Sequence, residues 1–202
     1  MQNKYLITKD FDNYKKAFLE ENSKHNLISK NDEKFLYEKH IYDSLSIKLF
    51  LNKYKIKEAN ILDIGCGGGF PCVPIAIEYP ELKITGIDSI RKKISSVQNI
   101  KDKLGLNNLD LICERVENIQ NTKYDIVVSR AVADMAKITS YALPFVKKGG
   151  FFIAYKSQKA LEEIENAKNI LEKMNAEIVD IIKYTLPLEE HFERNLICVR
   201  KK

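Results

Sequence analysis

The chain has 202 residues, 45% hydrophobic and 30% charged, which excludes disordered and fibrous classes and fits one domain with an appendage. A net charge of +5 permits nucleic-acid binding without requiring it. No apolar run approaches the about 20 residues of a membrane span, and the first residues hold no leader-length apolar core. The cysteines Cys66, Cys72, Cys113 and Cys198 form no CxxC pair, so a soluble cytoplasmic protein with reduced thiols and no metal site is expected.

Residues 1–56 read as helical. Phe11, Tyr14, Phe18 and Leu19 recur at helical spacing, followed by Leu36, His40, Ile41, Leu45 and Leu49, with Ser29 or Asn31 as the N-cap of this second segment. They are expected to form an N-terminal helical cap on a main domain spanning 57–202, both in one cooperative unit. From Asn60 the pattern becomes short apolar runs: NILDI (60–64), KITGID (83–88), LDLIC (109–113), YDIVVS (124–129) and GGFFIAY (149–155). Helix-like stretches at 71–78, 91–104, 135–146 and 157–174 separate or follow them. Strand alternating with helix predicts an α/β doubly wound, mostly parallel sheet buried on both faces. The tail differs: 176–187 and 195–202 are strand-like with little helix between, and should pair as an antiparallel edge.

Four of the eight glycines fall between Gly65 and Gly69, directly after the first strand, where open α/β sheets bind ligands. Pro71 suits the first turn of the following helix. A dinucleotide fingerprint counted from Gly65 needs glycine at the sixth position, which is Phe70; a P-loop needs Gly-Lys-Ser/Thr where Gly69-Phe70-Pro71 stands. The template that fits is Asp-x-Gly-x-Gly-x-Gly, met by Asp63, Gly65, Gly67 and Gly69. It resembles the first motif of class I S-adenosylmethionine-dependent methyltransferases. That cofactor carries an amino-acid end, for whose ammonium Asp63 is better suited than for a phosphate. Asp88 closes the second strand, where a carboxylate accepts ribose hydroxyls or caps the next helix. After the third strand, Val116 and its polar neighbours suit an adenine. After the fourth comes SRAVA, 129–133, expected nearest the transferred methyl. It lacks both the Asn/Asp-Pro-Pro-Tyr pattern of exocyclic-amine methylation and a nucleophilic cysteine.

Over nearly its whole length the sequence resembles the RsmG family, also called glucose-inhibited division protein B, through HIYDSL (40–45), LDIGCGGGFPCVPIAI, Asp88-Ser89, Arg115-Val116-Glu117, SRAVA, Gly149-Gly150 and Arg194-Asn195-Leu196. Cys66, Cys72 and Tyr155 depart from common family residues without breaking the pattern. The resemblance implies methyl transfer from S-adenosyl-L-methionine to N7 of a guanine in small-subunit ribosomal RNA, free or in its ribonucleoprotein particle. It also implies cofactor contacts at Gly65, Phe70, Val116, Glu117 and Arg130. Guanine N7 has an in-plane lone pair and no hydrogen, so alignment can replace a general base. Arg91, Lys92, Lys156 and Arg194, near strand ends, are expected to hold RNA phosphate, and a monomer is expected. His25, His40 and His191 read as structural. Two rivals are a methyltransferase of the same fold acting on a small molecule or protein, and a non-catalytic RNA-binding relative.

Overall fold

The computed structural model describes residues 6–120, 122–158, 160–190 and 192–202, and the side chains of all of these except Ala160 and Leu161. The apolar runs form β1 (Asn60–Ile64), β2 (Lys83–Asp88), β3 (Leu109–Cys113), β4 (Tyr124–Arg130) and β5 (Val146–Ser157), and the tail forms β6 (Ala176–Leu186) and β7 (Phe192–Lys201). They make one sheet in the order β3-β2-β1-β4-β5-β7-β6. The first five are parallel, and β7 lies antiparallel between β5 and β6, so the expected antiparallel edge is present.

Side chains alternate along each strand. Ile61, Ile126, Val128 and Ile153 therefore face one apolar layer, while Leu62, Val127, Phe152 and Ala154 face the other. Because both faces are covered, the central strands read as unbroken apolar runs. The first layer packs under α5 (Cys72–Glu78) and α6 (Arg91–Leu104), and the second under α7 (Met135–Ala142) and α8 (Ala160–Lys173). The expected helix over 135–146 stops at Ala142 and tightens into a 3₁₀ turn, Leu143–Phe145, because Pro144 has no N–H to continue the ladder. Pro71 sits just before α5 rather than within its first turn.

The N-terminal segment folds as α1 (Asp12–His25), α2 (Lys30–Glu33), α3 (Asp43–Leu45) and α4 (Ile47–Lys53). Ser29 caps α2, its Oγ accepting from Asp32 N at 3.2 Å. The stretch Leu36–Tyr42, expected to be ordinary α-helix, is π-helical, a rare geometry that collects at functional sites. Phe18, Leu45 and Phe50 of these helices are fully buried in the same apolar cluster as Ile61 and Val128 of the sheet.

Strand order reverses between β1 and β4, and the carboxyl ends of these strands open a crevice. The glycine loop, Asp88, residues 114–117 and residues 131–133 all meet there. Two basic runs, Lys147-Lys148 and Arg200-Lys201-Lys202, lie instead toward the opposite end of the sheet, with Lys147 paired to Asp125 at 2.7 Å.

Candidate functional site

A cavity of about 470 Å³ occupies the crevice, walled by Gly65 and Gly67, Ile87 and Asp88, residues 114–117, and Ala131 and Val132. The carbonyl of Ile87 accepts from both Gly65 N (2.8 Å) and Cys66 N (2.9 Å), which folds the loop back over the end of β2. Gly65 and Gly67 have φ of +73° and +55°, a region that costs side-chain-bearing residues. A Cβ at Gly65 would stand 2.4 Å from Val132 Cγ2, so the bare backbone also admits the SRAVA loop. That loop carries its own strain: Ala131 has φ +58°, a conformation that persists only where its surroundings enforce it.

Asp88 uses both oxygens on backbone. Oδ2 accepts from Gly67 N at 2.9 Å and Oδ1 from Ile90 N at 2.8 Å. It does not cap α6, whose N-cap is Ile90; it clamps the glycine loop to β2 while lining the cavity. A carboxylate has about four lone-pair sites, so it can still accept from a ligand's hydroxyls.

Of the residues singled out in the sequence, Gly65, Gly67, Asp88, Val116 and Glu117 line this cavity and Asp63, Gly69, Phe70 and Arg130 do not. Asp63 is fully buried beneath the loop, where Oδ2 accepts from Cys72 N at 3.1 Å. It therefore fastens the loop to α5 instead of meeting an ammonium. Gly69, with φ +92°, packs where a Cβ would stand 2.7 Å from Val73 Cγ2. The ring of Phe70 turns toward the N-terminal helices, 5.1 Å from Phe18 and 4.9 Å from His40 between centroids, and so leaves the helix–strand contact clear.

Burial pushes the Asp63 carboxyl up to about 7, and Oδ1 has no partner among the described residues. A raised folded-state value means that the proton is bound more tightly in the folded chain. The resulting stability is fully present below about pH 4 and is lost as pH rises to about 7. Asp63→Asn removes this titration, so the variant should gain on the natural chain by roughly 4 kcal/mol between those limits in paired urea denaturations. Parallel pH profiles for the two would show that Asp63 titrates as an ordinary carboxylate.

Arg130 leaves the end of β4 toward a second cavity of about 340 Å³, whose wall includes His40, Asp43, Ala131 and Arg194. Its guanidinium lies 5.0 Å over Phe70, donates to Asp43 Oδ2 at 3.0 Å and to the Lys39 carbonyl at 3.2 Å, and meets His40 Nδ1 at 3.1 Å. Burial and the neighbouring Arg130 charge hold His40 down to about 4, so its ring is neutral. Burial alone would raise the Asp43 carboxyl, but the Arg130 and Arg194 charges and the Tyr184 hydroxyl hold it below the usual range.

The expected phosphate ligands divide. Arg91 and Lys92 are exposed at the start of α6, beside Lys93, which lines the first cavity. Lys156 and Arg194 are instead committed within the protein. Lys156 Nζ donates to the Ala133 carbonyl (2.6 Å) and Glu163 (2.5 Å), and Arg194 pairs with Asp43. His191 lies outside the described residues. Among the described residues, no cluster of three or more His, Cys, Asp or Glu could hold a metal, and no helix is long and apolar enough to cross a membrane.

The sequence profile described as "GidB: rRNA small subunit methyltransferase G" matches residues 7–193. The chain belongs to this family. A curated relative, the ribosomal RNA small subunit methyltransferase G of Oceanobacillus iheyensis, is 39% identical over 200 residues, covering 96% of this chain and 83% of its own. Among solved structures, M. jannaschii TYW2 in complex with AdoMet has a TM-score of 0.61 at 15% identity, over 79% of this chain and 77% of its own. A methyltransferase from Pyrococcus furiosus reaches 0.60 at 16% identity, over 79% and 83%. At these identities the two structures establish the class I methyltransferase fold.

Lys93, Lys137 and Asp43 are wall residues that the sequence motifs leave unassigned. Lys93 is distinguishable only as the member of its basic run that reaches the first turn facing the loop. Asp43 had a signal, a carboxylate between the apolar positions Ile41 and Leu45, where a helical stripe should be buried.

Proposed function

We propose that this protein transfers the methyl group of S-adenosyl-L-methionine to N7 of a guanine in small-subunit ribosomal RNA, in the cytoplasm, acting on the RNA or its ribonucleoprotein particle. The observation that carries the reading is the balanced wall of the first cavity, in a chain whose residues 7–193 match the methyltransferase G family. Asp88, Glu114 and Glu117 stand against Lys93, Arg115 and Lys137 around a glycine-backed, apolar-lined space. Such a wall suits a zwitterion with hydroxyls and a sulfonium better than a pyrophosphate, which the three carboxylates repel.

In this reading Asp88 accepts from the ribose, Val116 lies against the adenine, and Gly65 and Gly67 give backbone to the amino-acid end. The cofactor supplies an electrophilic methyl. The protein has no proton to remove from guanine N7 and needs no base there: Ser129 Oγ, near the end of β4, is spent as a donor to the Ile64 carbonyl at 3.1 Å, and Asp134, in the loop beyond, caps α7 by accepting from Lys137 N at 2.9 Å. Holding the lone pair in line with the methyl is then the protein's main contribution. The major groove of A-form RNA is too deep and narrow for side chains, so the target base must be unpaired or flipped out.

Arg91, Lys92 and Lys93 are placed to hold the flanking phosphates. Changing all three to Ala should weaken RNA binding and reduce the slope of log affinity against log salt by about two. An unchanged slope would move the phosphate contacts elsewhere. The function itself is tested by incubating the protein with labelled S-adenosylmethionine and small-subunit RNA lacking the modification, then mapping the label. Label on any base atom other than guanine N7 would sink the assignment while leaving the fold intact.

A further inference from the structure

Adenine carries the same N7 lone pair as guanine, so attack through N7 does not by itself choose between them. The bases differ next door, at position 6, where guanine has an acceptor oxygen and adenine a donor amino group. A site that selects guanine therefore needs a donor that is never an acceptor. A guanidinium, with five N–H groups and no lone pair to offer, meets that requirement.

The second cavity has such a group. It adjoins the first, since Ala131 lines both, and its wall is drawn from α2, the π-helical segment and α3, the end of β4, the end of β6 and the start of β7. Asp43 stands at its base, 1% exposed, with both oxygens taken. Oδ1 accepts from Tyr184 Oη at 2.6 Å and Arg194 Nε at 3.3 Å, and Oδ2 from Arg130 Nη1 at 3.0 Å and Arg194 Nη2 at 3.3 Å. Asp43 is thus a positioning residue and no reader of bases. Arg130 is turned inward to Lys39, Asp43 and His40, and 12% of its side chain is exposed. Arg194 is held by Asp43 along its Nε–Nη2 edge, which leaves Nη1 outside that pairing, and its side chain is 23% exposed.

His40 adds an independent sign that an acceptor belongs here. Arg130 can only donate, so Nδ1 of the neutral ring accepts and the ring proton sits on Nε2. That Nε2–H is buried with no partner among the described residues, a cost a native site tolerates when a ligand or water completes it.

We propose that this second cavity is the seat of the target base and that Arg194, aligned by Asp43, donates to guanine O6, so that guanine is accepted and adenine refused. The inference rests on the reading of the protein as a guanine-N7 methyltransferase. N7 and O6 are neighbours on one edge of the base, and the two cavities are neighbours across Ala131. A base seated with O6 at Arg194 has its N7 on the adjacent position of the same edge, within reach of Ala131, the residue the two cavities share.

The test uses small-subunit RNA, assembled by splinted ligation, with the mapped target guanine replaced at that one position. Inosine keeps O6 and N7 and lacks only the N2 amino group; 2-aminopurine keeps N7 and N2 and lacks O6. The natural protein should methylate inosine RNA within about threefold of guanine RNA and 2-aminopurine RNA with kcat/KM lower by about 10-fold or more. Arg194→Met should lower kcat/KM on guanine RNA by a similar factor and bring the guanine to 2-aminopurine ratio close to one, with S-adenosylmethionine affinity unchanged. Should that variant fail to bind S-adenosylmethionine, Arg194→Leu carries the same test, because it too offers O6 no donor. A variant that methylates guanine N7 with the natural ratio intact overturns the O6 assignment. A natural protein that never methylates guanine N7 overturns the underlying function, a result distinguishable from the first.

Discussion

Asp43→Ala should lower the unfolding free energy by about 3–5 kcal/mol, because it removes one partner of a buried ionic cluster and leaves two cations uncompensated. The carboxylate comes from α3, while Arg130 comes from β4, Tyr184 from β6 and Arg194 from β7. One side chain therefore ties the N-terminal helices to three strands that are far away in sequence. Asp43→Asn keeps the shape and one acceptor and should lose less. Urea denaturation followed by circular dichroism measures both; a loss under about 1 kcal/mol for the alanine variant would mean that desolvation and attraction nearly cancel in this cluster. The linkage has a definite sign. Asp43 titrates lower in the folded chain than in the unfolded one, so its contribution is present above the ordinary carboxylate range and is lost as pH falls from that range through the lower folded-state value.

Asp88→Ala should raise the dissociation constant for S-adenosylmethionine by about 100-fold, read by titration calorimetry with the cofactor or with S-adenosylhomocysteine. Two losses combine in that figure. The ribose loses a charged acceptor, worth about 1.5–3 kcal/mol, and Gly67 N loses the carboxylate that fixes the loop. The structure makes the alternative explicit, since Asp88 could act only as the clamp between Gly67 N and Ile90 N. In that case the variant would lose folding stability while the cofactor affinity of the folded fraction stayed near the natural value.

Much of the fold is legible in the sequence because the sheet is covered on both sides. Burial on two faces turns β1, β2 and β4 into apolar runs whose ends can be read almost to the residue, and the glycines that follow β1 mark the switch point. What escapes is information that is not local. Asp63 lies near the end of β1 and Phe70 in the loop after it, but these residues alone do not say which side chains face the ligand and which face the N-terminal helices. Those directions are set by Phe18, His40 and Cys72, brought there by the rest of the fold. Lys156 and Arg194 lie near strand ends, as a phosphate ligand should. Their charges are taken by Glu163 and Asp43, partners that no periodicity within their own strands announces. The π-helical segment escapes for the same reason: one added residue per turn is invisible in an apolar stripe that still matches helical spacing.

The contact between Gly65 and Val132 has a consequence for how such a site can change over generations. Any side chain at 65 would overlap the valine, so position 132 must shrink before position 65 can grow. Taken in that order, the remaining obstacle is the left-handed backbone, about 1 kcal/mol for a non-glycine residue. In the reverse order the first step carries the overlap as well, and the two positions, remote in sequence, are open to replacement along only one of the two routes between them.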